Sequence, residues 1–572
     1  MNSKNIILIL LLCTLFTNCL QTDFDHQIPP DEIIKESADL DLVLTHVQRK
    51  FVKDIYSGYY IPLGKTNRYL SLDDSYNDLF YNDLGDDKGF LGVWKDSYEV
   101  GKNIKLIEDF SEGNDAFSFH RGMSRVIWAY TFANLVDVYG RIPYFEALDP
   151  IGFPHPKFDN GEDVYADLYR VLDLAQEDFE LATQLDENQD LDAIPEEQEI
   201  IYGGNIESWI RLANSLKLRL LVQSRLSNPE FSKVEINKLL EKDLFIRPED
   251  DFEYRFGTHS GTSENSHEEF DHNYDRAPSD YISNHFIYTI KDSKLTHEEE
   301  EDDDDDVDDE SQEFVDPRIR FLLYRQLTHE SIGFDIVNAC WEGDAIIEGF
   351  NYCYSGDNYL GRDHGFFAED GDDRFIRTLP GVYPIGGAFD EDDGIKSIDA
   401  ETLDGKGINP VLQTSYMCLL KAEAALMLGT EGDPREYLKQ GIQNSINKII
   451  NFTSAPDEYN PDEEAIQNYL DLVLAAFDAA ESDQEKLRVI IDELYIAAWG
   501  NPIEVYNAYR RTGYPAFPPP VDESVSEGNV GVFPRSLVWP PKVVEDNQNL
   551  NFTNKSYKEQ VFWDTNPEDF IH

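Results

Sequence analysis

Apolar residues recurring at intervals of three and four run through most of this chain, and that periodicity commits it to helices. From Val164, the positions Leu168, Val171, Leu172, Ala175, Phe179 and Ala182 draw one stripe down a single helix. The stretch IYGGNIESWIRLANSLKLRLLVQSRL repeats the pattern after a Gly-Gly break. Asn205 is its predicted N-cap, and Ile206, Trp209, Ile210, Ala213, Leu216 and Leu220 form its buried face. TSYMCLLKAEAALMLG is apolar almost all round and belongs at the centre of the molecule. Before Gly500, EKLRVIIDELYIAAW forms another helix. Asn501-Pro502-Ile503-Glu504 then restarts with a cap, a Pro at the first helical position and Glu504 as the back half of a capping box; Gly513 and Pro515 end it. Successive pairs of this kind predict a mainly α fold of tetratricopeptide-like helical hairpins, although no clean repeat period is visible.

Between these helices, residues 249–407 are rich in Gly, Asp and aromatics and predict an irregular, loop-rich segment with short strands and binding surface. Within it, residues 296–312 carry the run EEEEDDDDDVDDE, which cannot bury apolar area and predicts a disordered, solvated loop. The cysteines are too few for a disulfide scaffold. Cys340 and Cys353 could pair in an exported chain, whereas Cys418 sits in the apolar helix as an inert core residue.

The first residues set the compartment. Lys4 followed by IILILLLCTLF reads as a signal peptide over residues 1–18, its apolar run of about eleven residues fitting a secretory h-region and falling short of a membrane span. Cys19 stands where a lipoprotein signal is cut and acylated, with Leu15 and Thr17 upstream and Asn18 in place of the usual small residue. Release after ordinary cleavage is the alternative. Acidic residues number 112 against 48 basic ones, a formal charge of -64, which repels nucleic acid and bare anionic lipid and leaves an acyl anchor as the one contact with a membrane.

Four stretches carry a resemblance. They are RGMSRVIWAYTFANLVDVYGRIPYFEALDP (121–150), IYGGNIESWIRLANSLKLRL (201–220), LLKAEAALMLG (419–429), and NPIEVYNAYRRTGYP (501–515) with FPRSLVWPPKVVEDNQN (533–549). In this order, behind a lipoprotein-like leader, residues 19–572 resemble the SusD/RagB family of nutrient-binding outer-membrane lipoproteins, in the branch with Arg-Arg-Thr-Gly-Tyr-Pro, here Arg510 to Pro515. The motif residues themselves read as scaffold: Gly140 for a helix end in a left-handed turn, Pro143 for the exit direction, and Arg510 and Arg511 for satisfying carbonyls or carboxylates at a helix end.

The resemblance implies a SusD-like fold and a surface protein of the outer membrane that captures oligosaccharides, or peptides, without chemistry. It further implies delivery to a SusC-like, TonB-dependent transporter, with no cofactor required. A helical-repeat adaptor for another protein is the runner-up, and a secreted glycoside hydrolase a more distant one, since no catalytic motif stands out and chance carboxylate pairs abound.

Sugars present C–H-rich faces and hydroxyls, so ligand residues are sought where aromatics and planar polar groups alternate on a Gly-punctuated segment. FNYCYSGDNYLGRDHGFF (350–367) fits, offering Tyr352, Tyr354 and Tyr359 with Asp357, Asn358, Arg362, Asp363 and His364. The same tyrosines would equally serve to pack a long loop on the helical body. Trp341, and Trp94 with Tyr98, are secondary candidates. Asp186, Asn188, Asp190, Asp192 and Glu197 occupy the ligand positions of a calcium loop, with Leu191 where the sharp turn wants Gly, so an interhelix loop with incidental acids competes with a calcium site.

Overall fold

The computed structural model describes residues 39–72, 79, 90–260, 263–275, 278, 280–291, 293–294, 316–328, 358–366, 375–518, 520, 533–549 and 555–571. The signal peptide, Cys19, residues 296–312, Cys340 and Cys353 lie outside them.

Helices form over each of the apolar stripes read from the sequence, and over several further segments. In chain order they begin with α1 (Leu40–Arg49), α2 (Tyr56–Thr66), α3 (Phe90–Ser111), α4 (Ser118–Tyr139) and α5 (Gly161–Asn188). Next come α6 (Ile206–Gln223), α7 (Pro229–Lys242) and α8 (Asn284–Lys291). The C-terminal set is α9 (Thr414–Leu428), α10 (Pro434–Ile450), α11 (Glu463–Ala479), α12 (Asp483–Ala497), α13 (Pro502–Thr512) and α14 (Pro541–Asp546).

Consecutive helices pack on each other, α4 on α5, α5 on α6, α9 on α10, α10 on α11 and α11 on α12; α6 and α12 both reach α9. The centre therefore falls where the sequence places it. Every α9 residue from Thr414 to Leu420 is buried, Cys418 among them as a free thiol whose pKa burial pushes up. The stripe on α5, from Val164 through Ala182, is buried against α4. Each fully buried Leu, Val or Phe of this kind contributes roughly 1.5–3 kcal/mol by leaving water. Gly122 lets the α4–α5 contact close, since a Cβ there would lie 2.5 Å from the Phe179 ring.

Helix ends follow local chemistry in some places. Asn205 Oδ1 accepts the Ser208 N–H at 3.1 Å and caps α6, and Gly140 ends α4 with φ of 76°. The start of α13 differs from expectation. Pro502 does occupy its first position, but the Asn501 side chain makes no cap and donates instead to Val411 O at 2.8 Å. Glu504 is not half of a capping box; it is buried and takes the Arg219 Nε hydrogen bond from α6, because a buried carboxylate gains more from an opposed guanidinium than from a helix-end amide.

The irregular region holds β1 (Phe252–Arg255), β2 (His259–Ser260), β3 (Ser263–Glu264), β4 (Leu323–Tyr324) and β5 (Leu379–Pro380), with β6 (Ile408–Leu412) just beyond it. They form two-stranded antiparallel ribbons, β1 with β6, β2 with β3 and β4 with β5. In the β1–β6 ribbon, Arg255 faces Ile408 and Phe252 faces Leu412, with a bulge between Phe252 and Glu253. Pro410 sits opposite Glu253, acceptable in a ribbon with free edges.

Candidate functional site

The described part of the predicted ligand stretch, residues 358–366, runs as an extended ply between two others. Arg362 N donates to Ile282 O at 2.9 Å and Asn284 N to Arg362 O at 3.0 Å. Ser71 N donates to Tyr281 O at 2.8 Å on the opposite edge, and Thr378 N to Leu360 O at 2.9 Å closes the frame. The chain leaves this frame at Thr328 and re-enters at Asn358, and the two ends are tied by Asn358 Nδ2 donating to Thr328 O. Asn358 takes φ of 61°, a left-handed conformation that Asn tolerates better than most residues.

The side chains of 359–366 turn inward. Tyr359 is 5% exposed, with the Arg325 guanidinium 4.7 Å over its ring, and Arg325 is in turn held by Asp390 at 2.7 Å. Asp363 accepts from Asn284 Nδ2 at 2.8 Å. Arg68 Nη1 donates to His364 Nε2, and burial together with that guanidinium pushes His364 well below the ordinary histidine range, so the ring is neutral. Arg362 and Arg377 lie on Tyr281, their guanidinium carbons 3.7 and 3.6 Å from the ring centre, an arrangement the sequence reading missed because Tyr281 and Arg377 stand far from the Gly-punctuated run. Such stacking neutralises no charge but holds planar donors in fixed directions.

Tyr352, Tyr354, Asp357 and Trp341 lie outside the described residues. Trp94 is buried, 4.9 Å from Tyr139 and 5.2 Å from Tyr98, whose hydroxyl donates to Pro143 O at 2.7 Å. Of the calcium-spaced acids, Asp186 and Asn188 are on the last turn of α5, and Asp190, Asp192 and Glu197 follow it, all five exposed. They are not gathered: among the described residues no group of three or more His, Cys, Asp or Glu stands ready to hold a metal ion.

The motif arginines are internal. Arg511 meets both oxygens of Glu423 at 2.7 and 2.8 Å, and Arg225 joins the same carboxylate at 2.8 Å. Arg510 Nη1 donates to Arg535 O at 2.8 Å. Asp137 accepts from Tyr165, Asn507 and Trp563, welding α4, α5, α13 and the C-terminal segment.

Elsewhere a cleft of about 650 Å³ opens between α10 and the β1–β6 ribbon. Asn444, Asn447, Lys448 and Asn451 line one side; Arg255 and Phe256 line the other. Lys448 bridges Asp251 at 3.1 Å and Glu253 at 2.6 Å. Leu403 and Thr453 are shared with a second cleft of about 560 Å³ that carries Glu391, Asp393 and Glu401. The amide spacing on α10 was legible in QNSINKIIN but carried no motif.

Comparison with known proteins matches two family models in succession: "Starch-binding associating with outer membrane", a SusD-like model, over residues 43–334, and "Susd and RagB outer membrane lipoprotein" over residues 402–566. No curated protein matches. Among solved structures, a chitin-binding protein is 20% identical, with 92% of this chain and 100% of that one covered and a TM-score of 0.65. A SusD homologue from Bacteroides fragilis is 17% identical, with 92% and 99% covered and a TM-score of 0.62. A chitin-binding SusD homologue from Flavobacterium johnsoniae is 18% identical, with 92% and 98% covered and a TM-score of 0.60. These likenesses establish the fold.

Proposed function

Because the chain belongs to the SusD/RagB family of outer-membrane lipoproteins, we propose that it captures oligosaccharides at the cell surface and passes them, chemically unchanged, to a SusC-like TonB-dependent transporter. The observation that carries this reading is the pair of family models, which between them run from α1 to the C-terminal segment. The names of two structural relatives, both chitin-binding, support a glycan over a peptide as cargo.

In this reading Cys19 is the acylated first residue of the mature chain and the body faces outward. No helix among the described residues is long and apolar enough to cross a membrane. The ligand would meet Tyr352, Tyr354, Asp357 and Trp341, which fall in sequence between Thr328 and Asn358, two residues hydrogen-bonded to each other in the frame that holds the Arg362–Tyr281–Arg377 stack. The buried Tyr359, Asp363 and His364 would act as the foundation of that frame. Titration calorimetry of the mature chain against soluble starch, chitin and peptide oligomers tests the reading. Saccharide binding without product formation is expected; turnover, or binding of peptides alone, would overturn it.

A further inference from the structure

We infer that the cleft between α10 and the β1–β6 ribbon is a second ligand site, shaped for a short, uncharged, hydroxyl-bearing saccharide unit.

The first observation is an unmet hydrogen-bonding group. Ser415, in the first turn of α9, lines the cleft, is 2% exposed, and its hydroxyl has no hydrogen-bond partner among the described residues. Leaving a buried hydroxyl unpaired costs about 1–3 kcal/mol, so such groups normally have a protein, water or ligand partner.

A second, independent observation is the row of amides facing it. Asn444 and Asn447 on α10 and Asn451 at its C-cap recur at three and four, while Ile442, Ile446 and Ile449 turn the opposite face into the core. Asn444 and Asn451 donate from Nδ2 to Gln440 O and Asn447 O, at 2.9 and 2.8 Å, and neither side-chain carbonyl oxygen accepts from a described residue. The exposed Asn447 side chain makes no hydrogen bond to any described residue. Donors, acceptors and the half-buried Phe452 together match what a sugar offers, hydroxyls at its rim and C–H groups on its face, while Phe256 is packed into the wall against Tyr254 and His267.

The electrostatics choose the class. Lys448 is already bracketed by Asp251 and Glu253, and Arg255 pairs with Glu253 at 2.6 Å, so these wall cations are answered by wall carboxylates. Asp251 also accepts from the Thr414 amide and hydroxyl, at 2.7 and 2.8 Å. Lys406 adds a third wall cation to the two carboxylates, a local excess of one positive charge set within a chain of net charge -64, whose overall field disfavours uronate or sulfated ligands. The volume, about 650 Å³, lies inside the usual range for small-ligand clefts, about 300–1,000 Å³. None of residues 358–366 lines it, so the site stands apart from the loop frame.

The test uses the mature chain with glucose and N-acetylglucosamine oligosaccharides as probes, and an alginate oligosaccharide as the anionic control. Hydrogen exchange is followed over residues 444–453 in wild type, in Asn447→Ala/Asn451→Ala, and in Tyr352→Ala/Tyr354→Ala. Both asparagines are exposed, so the first variant should keep the wild-type fold. Expected are saccharide-dependent protection of 444–453 in wild type and in the tyrosine variant, and its loss with at least about tenfold weaker binding in the asparagine variant. Saccharide binding that leaves 444–453 unprotected and is indifferent to the asparagine change would overturn the cleft while sparing the loop reading. Failure of both neutral series to protect this segment, or stronger protection by alginate, would also overturn it.

Discussion

Arg511 and Glu423 meet fork to fork in the interior, two guanidinium nitrogens on two carboxylate oxygens at 2.7 and 2.8 Å, linking α13 to α9. A second cation, Arg225, reaches the same carboxylate from the segment after α6. Burial alone would raise the Glu423 pKa, but the two guanidinium groups hold it down at about 2. Removing the acid strands two buried charges. Glu423→Gln should therefore destabilise the fold by about 3–5 kcal/mol, read as a lower urea midpoint with unchanged slope. A shift below about 1 kcal/mol would show the pair to be as weak as a surface one.

Acid should weaken the protein through its buried histidines. Burial pushes His267 and His285 down to about 3, Arg68 adding to the effect on His285. An unfolded histidine titrates near 6.5, so below that pH the unfolded chain binds protons that the folded chain refuses. Their contribution is full above about pH 6.5 and is lost as pH falls toward 3. Asp492, raised to about 6 by burial, acts in the opposite sense: the folded chain takes its proton first and gains stability between about pH 6 and 4. Comparing wild type with His285→Phe isolates the histidine. The variant should lose less stability than wild type between pH 6.5 and 4, measured by urea denaturation, and parallel pH profiles would contradict the assignment.

The tyrosines of 350–367 should separate into two classes. Tyr359 is packed beneath Arg325, and Tyr359→Ala should cost about 3–5 kcal/mol of stability. Tyr352→Ala and Tyr354→Ala should leave the thermal midpoint within a degree or two and weaken saccharide binding by about tenfold or more. Calorimetric titration beside a melting curve decides; unaltered affinity in both variants removes these two residues from the ligand contact.

Helix α4 should resist even one added methyl. At Gly122 a Cβ would fall 2.5 Å from a Phe179 ring that is fully buried. Gly122→Ala should cost about 1–3 kcal/mol despite the better helix propensity of alanine. A raised melting temperature would mean that α4 and α5 can part without penalty.

Cys19→Ser should release the chain from the membrane fraction and abolish incorporation of a clickable fatty acid. Retention of the serine variant with the outer membrane would point to another anchor.

Helix positions and the central place of α9 were legible because each depends on residues within one or two turns; Arg510 and Arg511 were legible as scaffold by residue type and place at a helix end, but their partners Arg535 O and Glu423 lie far off in the chain and were not. Glu504 was misread for the opposite reason. Its partner Arg219 lies on α6, and no local window contains both. Within 358–366 the residue types suggested display, yet the frame turns Tyr359, Asp363 and His364 inward, because pairing with 281–284 and 377–378 sets their direction. The α10 amides show the reverse case: their spacing was plain, and only the β1–β6 ribbon opposite turns it into a cleft.

The knot between Asn358 and Thr328 has an evolutionary reading. With Thr328 and Asn358 fastened to each other, lengthening the sequence between them adds only a slowly growing entropy penalty, about 0.6 kcal/mol per doubling. Insertions and substitutions between those two positions can then accumulate while residues 358–366 keep their pairing with 281–284 and 377–378.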